Sequence, residues 1–320
     1  MVMPRGLLID MRDGGPAMQI TAGLRCPSFC GVVNGNGSVY NAPGYVPGSV
    51  LVYAPHQTTV IYPNGTSLVP AVGCLQGAAQ NGGSMQISSW WSVPGFSNIL
   101  WPGTMWQILP ASQSGNRGLL ISDSTDFTAI TDASVVGQCV WRGRVTIPGR
   151  WTPPDTGWNR ATYVIFAKWS ADGIVVEYDG NQIIVTGESE DMGYDATATL
   201  DIVIFAAGIP PTPGRGLNFF NPAGVCTFST ARRPFVYSNA YYRPSSAWTD
   251  IGDRYVMLGR YGAMSAISGG WCYAKYLGLV RSGNVLRVGK GRTAQQWTDK
   301  YAFPINVIAG INALLLESMY

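Results

Sequence analysis

The chain has 320 residues, of which 46% are hydrophobic and only 12% charged, roughly half the charged share of an average soluble domain. Its net charge of +3 leaves no electrostatic footprint for nucleic acid or an anionic membrane as partner. The 40 glycines and 21 prolines are scattered between short apolar runs, which indicates many turns and excludes low-complexity disorder.

In chain order, Met1 to Arg5 show no basic start followed by an apolar run, so no secretory leader is expected. Arg5-Gly-Leu-Leu-Ile-Asp10 then alternates with the strand period of two, Asp13-Gly-Gly supplies a reversal, and Met18-Gln-Ile-Thr21 alternates on the way back. This is a β-hairpin. From Cys26 to Asn116, ninety-one residues contain no Asp, Glu, Lys or Arg. Monomers stay soluble through interspersed surface charge. A segment without any fits a subunit sheltered by neighbouring protein surfaces, where charges would need desolvating.

That segment also holds Cys26, Cys30, Cys74 and the single histidine, His56. Cys₃His is zinc chemistry, but the spacing lacks the tight knuckle of zinc ribbons. Buried, unrelated thiols are expected, with no metal and no other cofactor. Thr58–Tyr62 and Thr66–Val69 flank Pro63-Asn-Gly65 as a second hairpin. Trp90, Trp91, Trp101 and Trp106 follow, aromatic residues of the kind that anchor interfaces and bind sugars.

Arg117-Gly-Leu-Leu-Ile121, with Ala129-Ile-Thr131 after it, repeats the opening pattern weakly. Asp172 to Asp201 is acidic throughout and includes Glu177, Asp179, Glu188, Glu190, Asp191 and Asp195. Within it, Ile174–Tyr178, Asp179-Gly-Asn181 and Gln182–Thr186 form a third hairpin. A carboxylate pair drawn from Glu177 and Glu188 could serve a glycosidase, and the Glu188–Gly193 loop could take Ca²⁺. A solvated loop or a subunit contact is the expected reading. Leu200–Phe205 is a buried strand, and Ile209-Pro-Pro-Thr-Pro-Gly214 is a linker that cannot join a sheet centre.

Arg215-Gly-Leu-Asn-Phe-Phe220, Asn221-Pro-Ala-Gly224 and Val225–Ser229 form a strong further copy of the opening hairpin, and Arg233-Pro234 follows it as Arg25 and Pro27 follow the first. Tyr241 and Tyr242 add an aromatic pair. The end of the chain is basic: Lys275, Arg281, Arg287, Lys290, Arg292 and Lys300 precede Glu317, a strip expected to match an acidic surface of this chain or of a neighbour. Thr293 to Lys300 suits one or two helical turns. Ala302 to Leu316, interrupted by Pro304 and Gly310, is too short to span a membrane as a helix.

The three copies divide the chain into regions 1–115, 116–208 and 209–320, or alternatively 1–208 and 209–320. The expected class is all-β, two or three sandwich-like domains rich in hairpins. Gly216-Leu-Asn-Phe-Phe-Asn-Pro-Ala-Gly-Val-Cys-Thr-Phe-Ser229 and Gly6-Leu-Leu-Ile-Asp-Met-Arg-Asp-Gly14 resemble the openings of minor tail proteins of long-tailed bacteriophages. That family usually has an acidic residue before the last Ser/Thr, where Phe228 and Ile20 stand here. The resemblance implies a β-sandwich-like virion protein of the tail tip or fibre network, made in the host cytoplasm. Its partners would be other tail proteins and copies of itself. A receptor- or glycan-binding tail module is the alternative, and a glycan-degrading enzyme a more distant one. The expected contact residues are Trp90, Trp91, Trp101, Trp106, Tyr241, Tyr242, Arg281, Arg287, Lys290 and Arg292.

Overall fold

A computed structural model describes residues 6–34, 37–62, 69–95, 101–110, 118–123, 126–131, 135–298 and 304–320. The described residues are all-β in multiple antiparallel sheets, with one 3-10 turn at Arg160–Thr162. None of their helices is long and apolar enough to cross a membrane.

The described residues fall into three consecutive units of one topology. The first unit opens with the hairpin β1 (Gly6–Ile9) and β2 (Met18–Thr21) and continues through β3 (Ser28–Val33), β4 (Val39–Asn41), β5 (Val50–Pro55), β6 (Thr59–Tyr62), β7 (Ala71–Asn81), β8 (Ser84–Trp91) and β9 (Gly103–Ile108). After the hairpin, its strands form two sheets ordered β3-β9-β5 and β4-β8-β7-β6. The second unit opens with β10 (Gly118–Asp123) and β11 (Asp126–Thr131), then runs β12 (Gln138–Pro148), β13 (Arg150–Trp151), β14 (Val164–Lys168), β15 (Ile174–Tyr178), β16 (Ile183–Gly187) and β17 (Thr197–Ala206). The third opens with β18 (Asn218–Phe220) and β19 (Cys226–Ser229). It then runs β20 (Tyr241–Tyr242), β21 (Thr249–Asp250), β22 (Tyr255–Met257), β23 (Gly262–Ser268), β24 (Trp271–Ser282), β25 (Val285–Thr298), β26 (Asn306–Ile308) and β27 (Ala313–Leu316).

In each unit the first strand after the hairpin pairs with the last strand, which pairs in turn with one from the middle: β3-β9-β5, β12-β17-β14 and β20-β27-β22. The second sheets agree as well, β4-β8-β7-β6 matching β21-β25-β24-β23, with β13-β16-β15 a shorter version. Units two and three share both sheets, because β14 pairs with β22 and β15 with β24. One hydrophobic core runs through all three units.

The hairpins sit where the repeated sequence pattern places them. Leu7 and Ile9 turn inward with Met18 and Ile20, while Leu8 points out. The third copy departs in register. Its Arg215-Gly-Leu suggests that Gly216 stands where Gly6 does, yet Asn218 pairs with Ser229 as Gly6 pairs with Thr21. Burial decides this two-residue difference: Phe219 stacks on Phe228, ring centroids 5.3 Å apart, in the positions of Leu7 and Ile20. A one-residue bulge follows between Phe219 and Phe220, where Thr227 is passed over. The hairpins also pack together, β11 against both β2 and β19.

Below the hairpins, the segment leaving each one bridges the segments leaving the other two. Arg25 pairs with Tyr237, Ser28 with Val136, and Gln138 with Pro234. The first pair exchanges two backbone hydrogen bonds, Arg25 N to Tyr237 O at 2.7 Å and Tyr237 N to Arg25 O at 3.0 Å. Phe29 N donates to Val135 O (2.9 Å), Cys139 N to Arg233 O (2.8 Å) and Phe235 N to Gly137 O (2.7 Å). An aromatic cluster fills the space beneath: Trp106 and Phe205 both pack on Phe235, at 5.4 and 4.7 Å, and Tyr320 meets Phe205 edge-on.

Two other expectations are revised. Thr293–Thr298 is not helical but the end of β25, where Trp297 lies opposite Cys272 and is buried; a long cross-strand ladder outweighs the local helical preference. The partner of β6 is β7, beginning at Ala71 opposite Tyr62, and the Pro63-Asn-Gly65 turn lies outside the described residues, as do Arg117 and Lys300. The Asp179-Gly180 hairpin forms as β15 and β16, with Val176 opposite Val185.

Asp13 in the first hairpin's turn clamps the ring from outside. Arg233, 2% exposed, gives it two hydrogen bonds of 2.8 and 2.7 Å and also donates to Met319 O and Pro16 O. The guanidinium holds the Asp13 carboxyl well below the usual carboxylate range. Because the folded value lies below the unfolded one, this contribution is complete above about pH 4 and is lost as the pH falls toward the folded value. Asp13→Asn should cost about 2–3 kcal/mol, less than a fully buried pair because Asp13 is partly exposed. It should also flatten the acid limb of a stability-versus-pH curve measured by urea unfolding. Gly137 supplies a second check. A Cβ there would lie 2.7 Å from the Trp106 ring, so Gly137→Val should lose roughly 1–3 kcal/mol through overpacking, whereas Gly23→Ala, whose Cβ meets nothing within 4 Å, should be tolerated.

Candidate functional site

The expected contact residues divide by burial. Trp101, Trp106 and Tyr242 are core side chains. Trp91 is half-buried, 6.1 Å from the Trp101 ring. Trp90 and Tyr241 are exposed at 38% and 41%. Other large apolar side chains of the first unit also face solvent: Val39, Val50, Tyr62 and Val93. Val39, Tyr62 and Trp90 belong to one sheet, β4-β8-β7-β6. Its hairpin carries the exposed Asp10, Arg12 and Asp13, but from Cys26 onward the described exterior of this unit consists of apolar and neutral polar groups, since no residue from Cys26 to Asn116 carries a formal charge.

The charges of units two and three meet each other. Arg287 grips Glu188 with two hydrogen bonds of 2.8 and 2.5 Å and lies over the Trp248 ring at 4.8 Å. Lys290 pairs with Glu190. Lys275 Nζ donates to Asp191 O at 2.5 Å and Thr293 Oγ1 at 3.0 Å. Arg281, 1% exposed, is spent on the carbonyls of Gly283, Arg254 and Gly252. Arg292 contributes its backbone N–H to Glu177 at 3.3 Å, and its side chain is half-buried. Of the two surfaces the basic strip could match, its own is the one it meets here.

Glu177 and Glu188, the glycosidase candidates, are both committed to this network. Glu177 is fully buried, and burial raises its pKa against the pull of Arg260, whose Nε donates to it at 2.9 Å. Arg260 lies flat over Tyr276 at 3.7 Å. Sequence spacing gives no hint of Arg260, since it lies 83 residues from its partner.

Cys26, Cys30, Cys74 and His56 do not converge, and no group of metal-binding side chains occurs among the described residues. Burial pushes the Cys26 and Cys30 thiols up to about 12 and Cys74 up to about 11, so they stay protonated. His56 is held neutral by burial. Its Nε2 bonds Thr104 Oγ1 at 3.0 Å, and that hydroxyl donates to Ala161 O at 3.1 Å. Because the hydroxyl's proton is committed to Ala161, Nε2 is the donor to Thr104. Thr104 thus ties unit one to unit two, with His56 behind its hydroxyl.

Beside His56 lies a cavity of about 290 Å³, lined from unit one by Ala54, Pro55 and His56, from unit two by Arg160, Ala161, Tyr163, Val164, Ile165, Tyr178 and Gly180, and from unit three by Met257 and Leu258. Local sequence gives no sign of it, because its walls come from segments some two hundred positions apart.

The chain belongs to a family of unknown function, DUF6453, whose profile matches residues 6–299. No curated protein and no solved structure matches it.

Since the basic strip and the acidic stretch pair within the chain, Arg287→Glu with Lys290→Glu should destabilise the monomer itself. The loss should exceed the ~1 kcal/mol of an exposed ion pair, because Arg287 is held bidentately and half-buried. Urea unfolding of the double variant against Glu188→Arg/Arg287→Glu, which restores the pair reversed, checks this; equal losses would show that the pairing contributes nothing.

Proposed function

We propose that this member of DUF6453 is a structural subunit of the tail of a long-tailed bacteriophage, at the tip or fibre attachment region, and that it assembles through uncharged, aromatic β surfaces. The carrying observation is the exterior of the first unit, where Val39 and Trp90 share one face of the β4-β8-β7-β6 sheet and Val50, Tyr62 and Val93 are also exposed, on a segment without formal charge. Covering such a face releases water from apolar area, worth about 25 cal/mol per Å². It also strips no ion of its hydration, the cost that usually opposes burial of a surface. The link to tails rests on the hairpins, whose openings resemble those of minor tail proteins and which here stand as separate two-stranded units. Leu8 and Phe220 remain exposed on them.

The partners this reading names are other tail proteins and further copies of the chain, and the place is the virion. Exposed Trp and Tyr faces also suit sugars, so a host glycan is the alternative occupant of the same face.

Val39→Lys combined with Trp90→Lys places two charges on that face at positions that support no core. Unfolding stability should stay within about 0.5 kcal/mol of the parent, while incorporation into particles, measured by quantitative mass spectrometry of purified virions, should be lost. A parent chain absent from particles, or a variant incorporated as well as the parent, overturns the proposal; retention on a glycan array lost in the variant selects the alternative.

A further inference from the structure

The cavity beside His56 is a built feature. Backbone hydrogen bonds fix its walls: between units three and two, Leu258 N donates to Ile165 O at 2.8 Å, and within unit one His56 N donates to Pro102 O at 2.9 Å. The Thr104 hydroxyl joins His56 to Ala161 O. Val164, Ile165, Met257 and Leu258 are buried and supply an apolar floor. A volume near 290 Å³ stands at the small end of ligand pockets, which span roughly 300–1,000 Å³.

Its polar side chains are His56, Tyr163, Tyr178 and Arg160. His56 is neutral. Tyr163 Oη pairs with Thr156 Oγ1 at 2.5 Å, and Tyr178 Oη donates to Gly180 O at 2.8 Å. Arg160 is the charged side chain among the lining residues. It is exposed, with Nη2 anchored on Pro153 O at 2.7 Å; burial and then the Asp179 carboxylate raise the pKa of the Tyr178 hydroxyl, and the Arg160 charge acts against them. Of the acids near these residues in sequence, Asp155 accepts from Gly157 N at 2.9 Å, and Asp179 accepts from the backbone of Asn181 and Gln182 and faces Arg260 at 3.9 Å. An apolar chamber with one guanidinium at its mouth selects a molecule with an apolar body and one anionic end.

We infer that this cavity binds a small apolar carboxylate, an aromatic or branched-chain acid whose body lies among Val164, Ile165, Met257 and Leu258 and whose carboxylate meets Arg160. The site is independent of the assembly role. Because all three units line it, an occupant would be shared between them and would stabilise their packing by mass action.

The test uses the full chain, isothermal calorimetry and thermal unfolding, with benzoate, phenylacetate and isovalerate as probes and their three amides as neutral counterparts. At least one acid should bind one-to-one and raise Tm, with its amide about tenfold weaker. Arg160→Gln should bring that acid down to the level of its amide. Leu258→Trp should fill the chamber and remove binding of both; if that variant misfolds by near-ultraviolet circular dichroism, Ala161→Phe at the half-buried wall takes its place. No saturable binding of any acid up to ~10 mM, a range that detects even millimolar affinity, overturns the inference. So does an amide that binds as well as its acid, an Arg160→Gln variant that keeps the preference, or binding that survives the filled chamber.

Discussion

The architecture depends on the mutual pairing of three short segments, 25–28, 136–138 and 234–237. Each runs from a surface hairpin into the interior, so its backbone groups leave water and must find partners there. None is long enough to make a sheet of its own. Pairing each with both of the others satisfies them, and it brings three sequence-distant hairpins to one place. A two-stranded hairpin alone is marginal in water. Here Met18, Ile20, Ile130 and Phe228 all bury against one another's surroundings, so each hairpin is held by the closure that the others create. The Asp13–Arg233 clamp then fastens the first hairpin's turn to the segment of the third unit.

Closure of this kind explains which parts of the fold could be read from the sequence. Local signals announce local structures: Asp13-Gly-Gly, Asp179-Gly180 and Asn221–Gly224 all mark reversals, and Pro210 to Pro213 marks a segment that leaves the sheets. The repeated opening was legible because its inner positions, Leu7 with Ile20 and Phe219 with Phe228, carry the same alternation. Its register in the third copy was not. Identity of Arg-Gly-Leu suggested one alignment, and the volume of two phenylalanines imposed another. Strand order after the hairpins was also hidden, since β9 pairs with β3 across some seventy residues on the strength of a core that no local window contains. The end of β25 failed for the related reason that cross-strand pairing with β24 overrode a short helical pattern.

The site residues follow the same division. Residue type identified Trp90, Tyr241 and the basic strip as notable, but burial sorted them. Trp101, Trp106 and Tyr242 are buried, Trp106 on the middle strand of β3-β9-β5 and Tyr242 on β20 at the edge of its sheet. The basic strip and the acidic stretch were each visible as a run of one sign, and complementarity between them was a legitimate expectation. That they meet within one chain depends on β15 pairing with β24, a long-range contact that charge patterning cannot supply by itself. Arg160 and Arg260 carry no sequence signal at all; only the fold gives them partners.

The distribution of charge among the units has a further consequence. Three units of the same topology in one chain could in principle pair in the wrong combination, because the same edges recur in each. Unit two is acidic from Asp172 to Asp201, unit three carries the basic strip, and unit one is uncharged from Cys26 onward. Joining β15 to β24 sets Glu188 against Arg287 and Glu190 against Lys290. Seating unit one in either place would leave the half-buried Glu188, Arg287 and Lys290 without counterions, a loss larger than the modest value of the pairs themselves. A homotrimer of identical units could not make this distinction, whereas a single chain lets its copies diverge. Divergence fixes the neighbours of units two and three through electrostatics, and it frees the outer face of unit one to be apolar.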